Sequence, residues 1–224
     1  MLFFDADLPS AIGAEWTLPA DEAHHFARVR RGQVGESIGL IDGAGRRAAA
    51  TVTHIDKRTV QARLESVEVQ PRPGSLTVAV APPKGDRFRW LVEKLTELGV
   101  DRVQPIVTDR SVTDPGHRKL DKLRSTSLAA CKQCERAWLM TLADPVPLAD
   151  AIAAAGNAVF IASLRTEGAM PVVDASPATV FIGPEGGWTE AEEQSLAHAC
   201  PLRLGRHVLR TETAAIAAAV RLLT

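Results

Sequence analysis

From residue 76 onward, short apolar segments alternate with longer amphipathic ones. The apolar runs predict strands at 76–81, 103–107, 158–162, 179–182 and 202–204. Periodic apolar positions predict helices at 86–98, 117–138, 147–155 and 211–223. Strands that alternate with helices in this way form a mostly parallel sheet with helices on both faces. The sequence therefore predicts an α/β fold for this part of the chain.

The first 70 residues follow a different pattern, in which predicted strands adjoin one another through tight turns. These strands lie at 36–41, 48–55 and 59–69, and one helix is predicted at 20–30. Short strands joined by such turns are typical of a small β-barrel. A proline-rich stretch at 70–74 separates the two patterns, so we predict two domains, at 1–72 and 73–224.

Composition narrows the class of protein further. Hydrophobic residues make up 46% of the chain, yet no uninterrupted apolar run approaches the roughly 20 residues of a membrane-spanning helix. The N-terminal segment lacks the pattern of a secretion signal. An odd number of cysteines favours a reducing compartment, and Cys131 and Cys134 lack the further ligands of a zinc site. We therefore expect a cytoplasmic protein with no membrane partner and no metal.

The charge is distributed unevenly along a chain whose net charge is only −1. Residues 76–136 hold twelve Lys and Arg against eight Asp and Glu. The excess comes from Arg110, Arg118, Lys119, Lys122, Arg124, Lys132 and Arg136. A local basic face suits a polyanion that docks at one place, and the alternative is an ordinary solvated helix face.

A glycine-rich turn at 183–187 follows the predicted strand at 179–182 and precedes a helix. Thr189 fits the N-cap of that helix, and Glu192 three residues later completes a capping box. Glycines between a strand end and a helix start let a ligand approach the backbone closely. The turn therefore indicates a ligand site, with a purely structural turn as the alternative.

The ligand predicted at this turn carries no phosphate. The spacing G-x-x-G-G matches neither the dinucleotide fingerprint nor the Walker sequence. Glu190, Glu192 and Glu193 also compete with a phosphate for the positive end of the helix dipole. S-adenosylmethionine fits better, because its sulfonium is positive and its polar groups can bond to exposed backbone.

A second strand-to-helix segment follows about thirty residues later. Gly205 ends the predicted strand, and Thr211 opens an alanine-rich helix. Two such turns would lie side by side at the carboxyl ends of the strands, where α/β sheets bind ligands. Arg210 and Glu212 flank that position. Taken alone, an alanine-rich helix of this kind is usually explained by packing.

Together these segments resemble the ribosomal RNA small subunit methyltransferase E family, which belongs to the SPOUT superfamily of knotted methyltransferases. The matching residues occur in the family's order between residues 24 and 215. They are His24-His25 with Val29 and Arg31, Lys84-Gly85, Lys94 with Thr96 to Val100, Arg110-Ser111, Gln133 and Arg136, Ile182 to Gly187, and Leu204-Gly205 with Leu209 to Ala214. Cys134 and Glu135 depart from the family's usual pattern, and Glu135 adds a negative charge beside Arg136.

The resemblance implies a fold and a reaction. The N-terminal part would be a PUA-like β-barrel that grips RNA, and the rest a SPOUT-type α/β domain with a trefoil knot. The chain would act as a homodimer on 16S ribosomal RNA in the assembled small subunit. It would methylate N3 of a uridine, uridine 1498 in the family, with S-adenosylmethionine as methyl donor.

The resemblance also implies roles for individual residues. The cofactor would contact Leu164, Ile182, Gly183, Pro184, Glu185, Gly186, Gly187, Leu204, Gly205, Val208 and Leu209. The RNA would contact His25, Arg28, Arg31, Lys84, Lys94, Arg110, Gln133 and Arg136. We predict Glu212 as the base or orienting group, ahead of Glu185, and Arg210 as the cation that stabilises the uracil anion.

Three alternative functions remain open from the sequence alone. A non-catalytic RNA-binding protein would have the barrel and the basic face but would ignore the cofactor. A knotted methyltransferase could act on tRNA or 23S ribosomal RNA instead. A nucleotide-dependent oxidoreductase predicts an acidic residue about 20 positions beyond the glycine turn, but residues 194–211 contain no Asp or Glu.

Overall fold

The structure is a computed structural model that describes residues 2–56, 59–72, 74–111, 117–163 and 177–223, apart from the side chains of residues 117 and 118. The chain forms two compact units. The first contains Met1–Arg72 and Cys131–Leu139, and the second contains Pro73–Ala130 and Met140–Thr224. Each unit has its own sheet and its own hydrophobic core.

The sheet of the first unit has five strands and curls around a core. In chain order, β1 to β5 are Leu2–Phe4, Glu15–Thr17, Ser37–Ile41, Arg46–Ile55 and Val60–Val69. Their spatial order is β1-β3-β4-β5-β2, with β1 parallel to β3 and the other pairs antiparallel. Alternate residues of β4 and β5 point inward, and Phe3 and Phe26 meet edge to face in the core.

Between β2 and β3 lies helix α1, Ala20–His24, which continues as a π-helical turn at His25–Val29. The predicted helix at 20–30 is therefore confirmed. Its second half is a π-helical turn, which is wider than the α-helical turn expected there. Gly32 then passes so close to the Phe26 ring that a Cβ atom there would lie 2.2 Å from it.

Residues 131–139 belong to the first unit because Trp138 anchors them there. Its Nε1 donates to the carbonyl oxygen of Gln70 at 3.1 Å, and its ring packs against Gly45. The backbone N–H of Leu139 donates to the carbonyl oxygen of Gly43 at 2.9 Å. Two glycines of the turn at 42–46 make these contacts possible, because Gly45 leaves room for the indole and Gly43 leaves room for Phe4 and Leu139.

The second unit is built on a seven-stranded parallel sheet, as the strand and helix alternation predicts. In chain order, β6 to β12 are Leu76–Val80, Arg102–Val107, Thr141–Leu142, Val146–Pro147, Ala158–Ala162, Ala178–Ile182 and Cys200–Leu202. The spatial order is β12-β10-β11-β6-β7-β8, and β9 pairs with β7. β11 is buried along its whole length, as expected for a central strand of a covered sheet.

Five helices accompany this sheet. They are α2 Asp86–Glu97, α3 His117–Gln133, α4 Leu148–Ala153, α5 Glu190–Ser195 and α6 Thr211–Leu223. α6 packs on α2, β6 and β11 through Ala215, Ala218 and Ala219, whose small side chains allow close approach. This packing places the start of α6 beside the end of β11.

Two predicted boundaries are wrong. The helix predicted at 117–138 ends at Gln133, because Glu135 adopts a left-handed conformation with φ 59° and the N–H of Arg136 donates back to the carbonyl oxygen of Cys131. The strand predicted at 202–204 lies at Cys200–Leu202, in register with the end of β10. Cys134 therefore lies in the turn after α3, whereas Cys131 is buried inside the helix.

Candidate cofactor pocket

A pocket of the second unit opens at the carboxyl ends of β10, β11 and β12. One wall is the glycine-rich turn after β11, and the opposite wall is the segment that leads from β12 into α6. The lining residues are Ala162, Ser163, Ile182, Gly183, Pro184, Glu185, Gly187, Trp188, Leu204, Gly205, His207, Val208, Leu209, Thr211 and Ala214. The predicted adjacency of the two turns is thus confirmed.

The residues predicted to contact the cofactor line this pocket with two exceptions. Leu164 lies outside the described residues. Gly186 belongs to the turn but not to the lining, and a Cβ atom there would lie 3.2 Å from the Cβ of Arg110. These positions show which residues line the pocket but not which ligand it binds, so their role in cofactor binding stays a prediction.

The two walls are joined directly. The hydroxyl of Thr211, the first residue of α6, donates to the carbonyl oxygen of Gly183 at 3.1 Å. A Cβ atom at Gly183 would lie 2.9 Å from the Trp188 ring, so this ring packs on the turn itself. A hydrogen bond therefore holds the two walls together, and an aromatic contact supports the glycine-rich turn.

The predicted capping box at the start of α5 is confirmed. The backbone N–H of Glu192 donates to the hydroxyl of Thr189, and the Glu192 carboxylate accepts from the backbone N–H of Thr189 at 2.8 Å through Oε2. Its other oxygen, Oε1, accepts from the backbone N–H of Asp109 at 2.9 Å. One buried carboxylate thus connects the glycine-rich turn to the loop after β7.

Arg110 reinforces the same connection. Its Nη1 donates to the carbonyl oxygens of Gly186 and Trp188, at 2.9 and 3.1 Å. We predicted Arg110 as a phosphate contact, but the structure places its guanidinium on the backbone of the turn. Sequence reasoning missed this bond, because the partners are 76 and 78 residues away.

The two predicted catalytic residues differ in their surroundings. Glu212 lies in the first turn of α6 and is only 6% exposed, whereas Arg210 is exposed just before the helix. Arg87, from the first turn of α2, approaches Glu212 Oε1 at 3.7 Å and Glu185 Oε1 at 4.0 Å. Sequence reasoning did not single out Arg87, and only the packing of α2 on α6 reveals its position.

The residues predicted to contact RNA are mostly at the surface. His25, Arg28 and Arg31 are exposed at the π-helical turn and just after it, and Lys84 and Gln133 are also exposed.

Lys94 instead bonds to Glu97 and Glu93, at 2.8 and 2.9 Å, and these hydrogen bonds raise its pKa above the usual value. Arg136 is half-buried.

Two cations of the predicted basic face form ion pairs within their own unit. Lys132 pairs with Glu22 at 2.6 Å, and Arg124 pairs with Asp121 and Asp144 at 3.0 and 2.8 Å. The basic excess at 76–136 is therefore a weaker indication of a polyanion site than the residue count suggests. Arg30 pairs with Glu36 at 2.6 Å.

Two negative findings concern the described residues only. No group of three or more His, Cys, Asp and Glu side chains is arranged to hold a metal ion there. None of the helices within the described ranges combines the length and the apolar character needed to cross a membrane.

Comparison with known proteins identifies the class. A family model described as an RNA methyltransferase domain matches residues 70–223, and a model of an RNA methyltransferase PUA domain matches residues 18–65. The parallel sheet with its strand-end pocket and the curled five-stranded sheet are thus those of an RNA methyltransferase with a PUA domain.

Individual relatives narrow this class. The chain is 35% identical to ribosomal RNA small subunit methyltransferase E of Mycobacterium tuberculosis, covering 100% of this chain and 92% of the relative. The Synechocystis protein of the same name is 34% identical over 91% of this chain and 71% of its own length. A Neisseria gonorrhoeae structure of that name, bound to S-adenosyl methionine, superposes with a TM-score of 0.87 at 28% identity, over 97% of this chain and 94% of the other. The chain belongs to the ribosomal RNA small subunit methyltransferase E family, as the sequence motifs predict.

Proposed function

We propose that this protein transfers a methyl group from S-adenosylmethionine to N3 of a uridine in 16S ribosomal RNA, with uridine 1498, the family's target, as the site. Membership of the family makes it a methyltransferase of small-subunit ribosomal RNA that uses this cofactor. The observation that carries the proposal is the pocket between the two glycine-containing turns.

The lining of the pocket suits this cofactor. Ile182, Leu204 and Leu209 offer apolar surface, and the turns offer backbone groups for adenine and amino acid. Glu185 supplies a negative charge near the mouth, which favours a sulfonium. Among the described lining residues none is Lys or Arg, so the pocket offers no cationic side chain to a phosphate group.

The bound cofactor supplies an activated methyl group on sulfur, and the protein supplies position and proton transfer. Uridine N3 carries a proton at neutral pH, so a base must accept that proton before the nitrogen can attack. We assign this role to Glu212, which follows the pocket residue Thr211 in the chain. Arg210, exposed at the same mouth, is the predicted cation for the uracil anion. Holding the donor carbon about 3–3.5 Å from N3 would supply much of the rate.

The remaining features of the proposal concern the assembly. His25, Arg28 and Arg31, which are exposed on the PUA domain, would contact phosphates of the RNA. The protein would act as a homodimer, so that these residues and the pocket contact the same RNA. The trefoil knot implied by the family stays part of the proposal, and Leu164, a predicted cofactor contact, lies outside the described residues. We also propose a cytoplasmic location, as expected for an enzyme that acts on ribosomal subunits, and cell fractionation tests it.

The direct test uses small ribosomal subunits from a strain that lacks this gene. The purified protein and S-adenosylmethionine are added, and the modified nucleotide is located by mass spectrometry. We expect one N3-methyluridine in 16S ribosomal RNA. Methylation of naked tRNA or of 23S ribosomal RNA, with the small subunit left unmodified, would contradict the proposal.

A further inference from the structure

The Glu212 carboxylate has one oxygen without a partner. Its Oε2 is buried and accepts no hydrogen bond within the described residues. The side chain as a whole is 8% exposed. Buried polar atoms in native proteins are almost always hydrogen-bonded, so this acceptor is a position that a donor from a bound ligand can fill. A uracil N3–H is such a donor.

Among the described residues, Arg87 is the cation that lies near this carboxylate. Its Nε lies 3.7 Å from Glu212 Oε1, and its Nη1 lies 4.0 Å from Glu185 Oε1. Both separations are longer than a hydrogen bond, so the N–H groups of the guanidinium donate no hydrogen bond to either carboxylate. The Arg87 side chain is also 45% exposed, which lets it move at low cost.

We propose that Arg87 is a catalytic residue that pairs with Glu212 in the free enzyme and donates to a uracil carbonyl oxygen during methyl transfer. This inference rests on the proposed function, since it requires a uridine whose N3 is methylated. Arg87 lies in the first turn of α2 and Glu212 in the first turn of α6, and the packing of these two helices brings the two side chains near each other.

The step balances with the groups present. The N3–H bond breaks and the proton binds to a carboxylate oxygen of Glu212, while the electron pair stays on the uracil as an anion delocalised over its two carbonyl oxygens. The Arg87 guanidinium stabilises this charge where it develops. The N3–methyl bond forms as the sulfur–methyl bond breaks, leaving S-adenosylhomocysteine. Glu212 then releases its proton to water.

The pair also explains why a uracil would be chosen over a cytosine. Uracil presents an N3–H donor beside carbonyl acceptors, which complements a carboxylate beside a guanidinium. Cytosine presents a lone pair at N3, which would face the carboxylate, and an amino donor at C4, which would face a cation on that side. Because the Glu212 carboxylate is buried, a lone pair opposite it is strongly unfavourable.

The experiment compares single-turnover methylation of small subunits, at saturating RNA and cofactor, by Arg87→Ala, Arg87→Lys, Glu212→Gln and the double variant Arg87→Ala/Glu212→Gln. Arg89→Ala is the matched control, because Arg89 is exposed on the same helix. Affinity for S-adenosylhomocysteine, measured by calorimetry, reports whether each variant keeps its pocket.

We expect Arg87→Ala to slow methylation by about 10²-fold with unchanged S-adenosylhomocysteine affinity. Arg87→Lys should recover part of the loss, and Arg89→Ala should stay within about twofold of the parent protein. Because Arg87 and Glu212 act on one proton transfer, the double variant should be no slower than the slower single variant.

Two results would overturn the inference. One is an Arg87→Ala rate equal to that of Arg89→Ala, and the other is a double variant in which the two losses multiply. If the parent protein forms no N3-methyluridine at all, the proposed function itself fails. If it forms that product and Arg87→Ala keeps the rate, only the role of Arg87 fails.

Discussion

The guanidinium of Arg110 donates a 2.9 Å hydrogen bond to the carbonyl oxygen of Gly186, on the turn that forms one wall of the pocket. A second bond from the same nitrogen reaches the carbonyl oxygen of Trp188. The loop after β7 thereby holds the glycine-rich turn in the shape that leaves the pocket open. Arg110, an RNA contact by family resemblance, thus donates to the backbone of the turn beside the candidate pocket, and its role in RNA binding stays a prediction.

Replacing Arg110 should therefore weaken cofactor binding. For Arg110→Ala we expect S-adenosylhomocysteine affinity to fall by about tenfold, or 1.4 kcal/mol, because two charge-assisted hydrogen bonds to the turn are lost. Calorimetry measures this value, and Arg89→Ala serves as the control. A variant with unchanged cofactor affinity but weaker binding to small subunits would instead support the phosphate contact predicted from the sequence.

A side chain added at Gly205 should block the pocket. Gly205 lines it, and a Cβ atom there would meet no other atom within 4 Å. We expect Gly205→Leu to fold normally and to bind S-adenosylhomocysteine at least about tenfold more weakly, because the leucine occupies space the ligand needs. Gly74→Leu is the control, since that position is also open but lies away from the pocket. Equal affinities of the two variants would place the ligand elsewhere.

The glycine at position 45 should be indispensable to the first unit. Gly45 has φ 99°, and a Cβ atom there would lie 2.5 Å from the Trp138 ring. We expect Gly45→Ala to lower the free energy of unfolding by roughly 2–4 kcal/mol in urea denaturation. Gly13→Ala is the control, because Gly13 has φ 83° and a Cβ atom there would meet no other atom within 4 Å. Its loss of stability therefore measures the backbone strain alone, which is about 1–2 kcal/mol. If both variants lose the same stability, the indole contact contributes nothing.

Asp42 should make the stability of the first unit depend on pH. Burial raises the pKa of Asp42, but hydrogen bonds from the Arg46 side chain and from the N–H groups of Ala44 and Arg46 outweigh it, so the pKa lies below its usual value. A lowered pKa contributes stability above the unfolded value of about 3.9, and this contribution is lost as pH falls through the folded value.

We therefore expect Asp42→Asn to be less stable than the parent protein by about 1–2 kcal/mol at neutral pH, with a gap that narrows below about pH 4. Urea denaturation at a series of pH values measures the gap. A difference that stays constant down to pH 3 would show that the charge of Asp42 has no part in it.

Local sequence signals predict much of this architecture. The capping box of Thr189 and Glu192, the strand ends before both glycine-containing turns and the bounds of α6 all depend on residues close together in the chain. Each follows from the steric and hydrogen-bonding preferences of a few neighbouring residues. The adjacency of the two turns follows from the rule that parallel strands end at the same edge of a sheet.

Contacts between distant residues are not predictable in this way. Arg87 reaches Glu212, and Arg110 reaches Gly186, only because helices and loops far apart in sequence pack together. The end of α3 was misplaced for a related reason. Glu135 has no local preference for a left-handed conformation, but in the structure its carboxylate pairs with Arg47 at 2.6 Å, and this pairing lowers the pKa of Glu135.

The central claim is that the two glycine-containing turns enclose the methyl donor. A crystal structure of the protein with S-adenosylhomocysteine tests it most directly. We predict the ligand between residues 182–187 and 204–209, with its sulfur toward the side that carries Arg87 and Glu212. Density for the ligand at any other site, with the space between the turns left vacant, would contradict the claim.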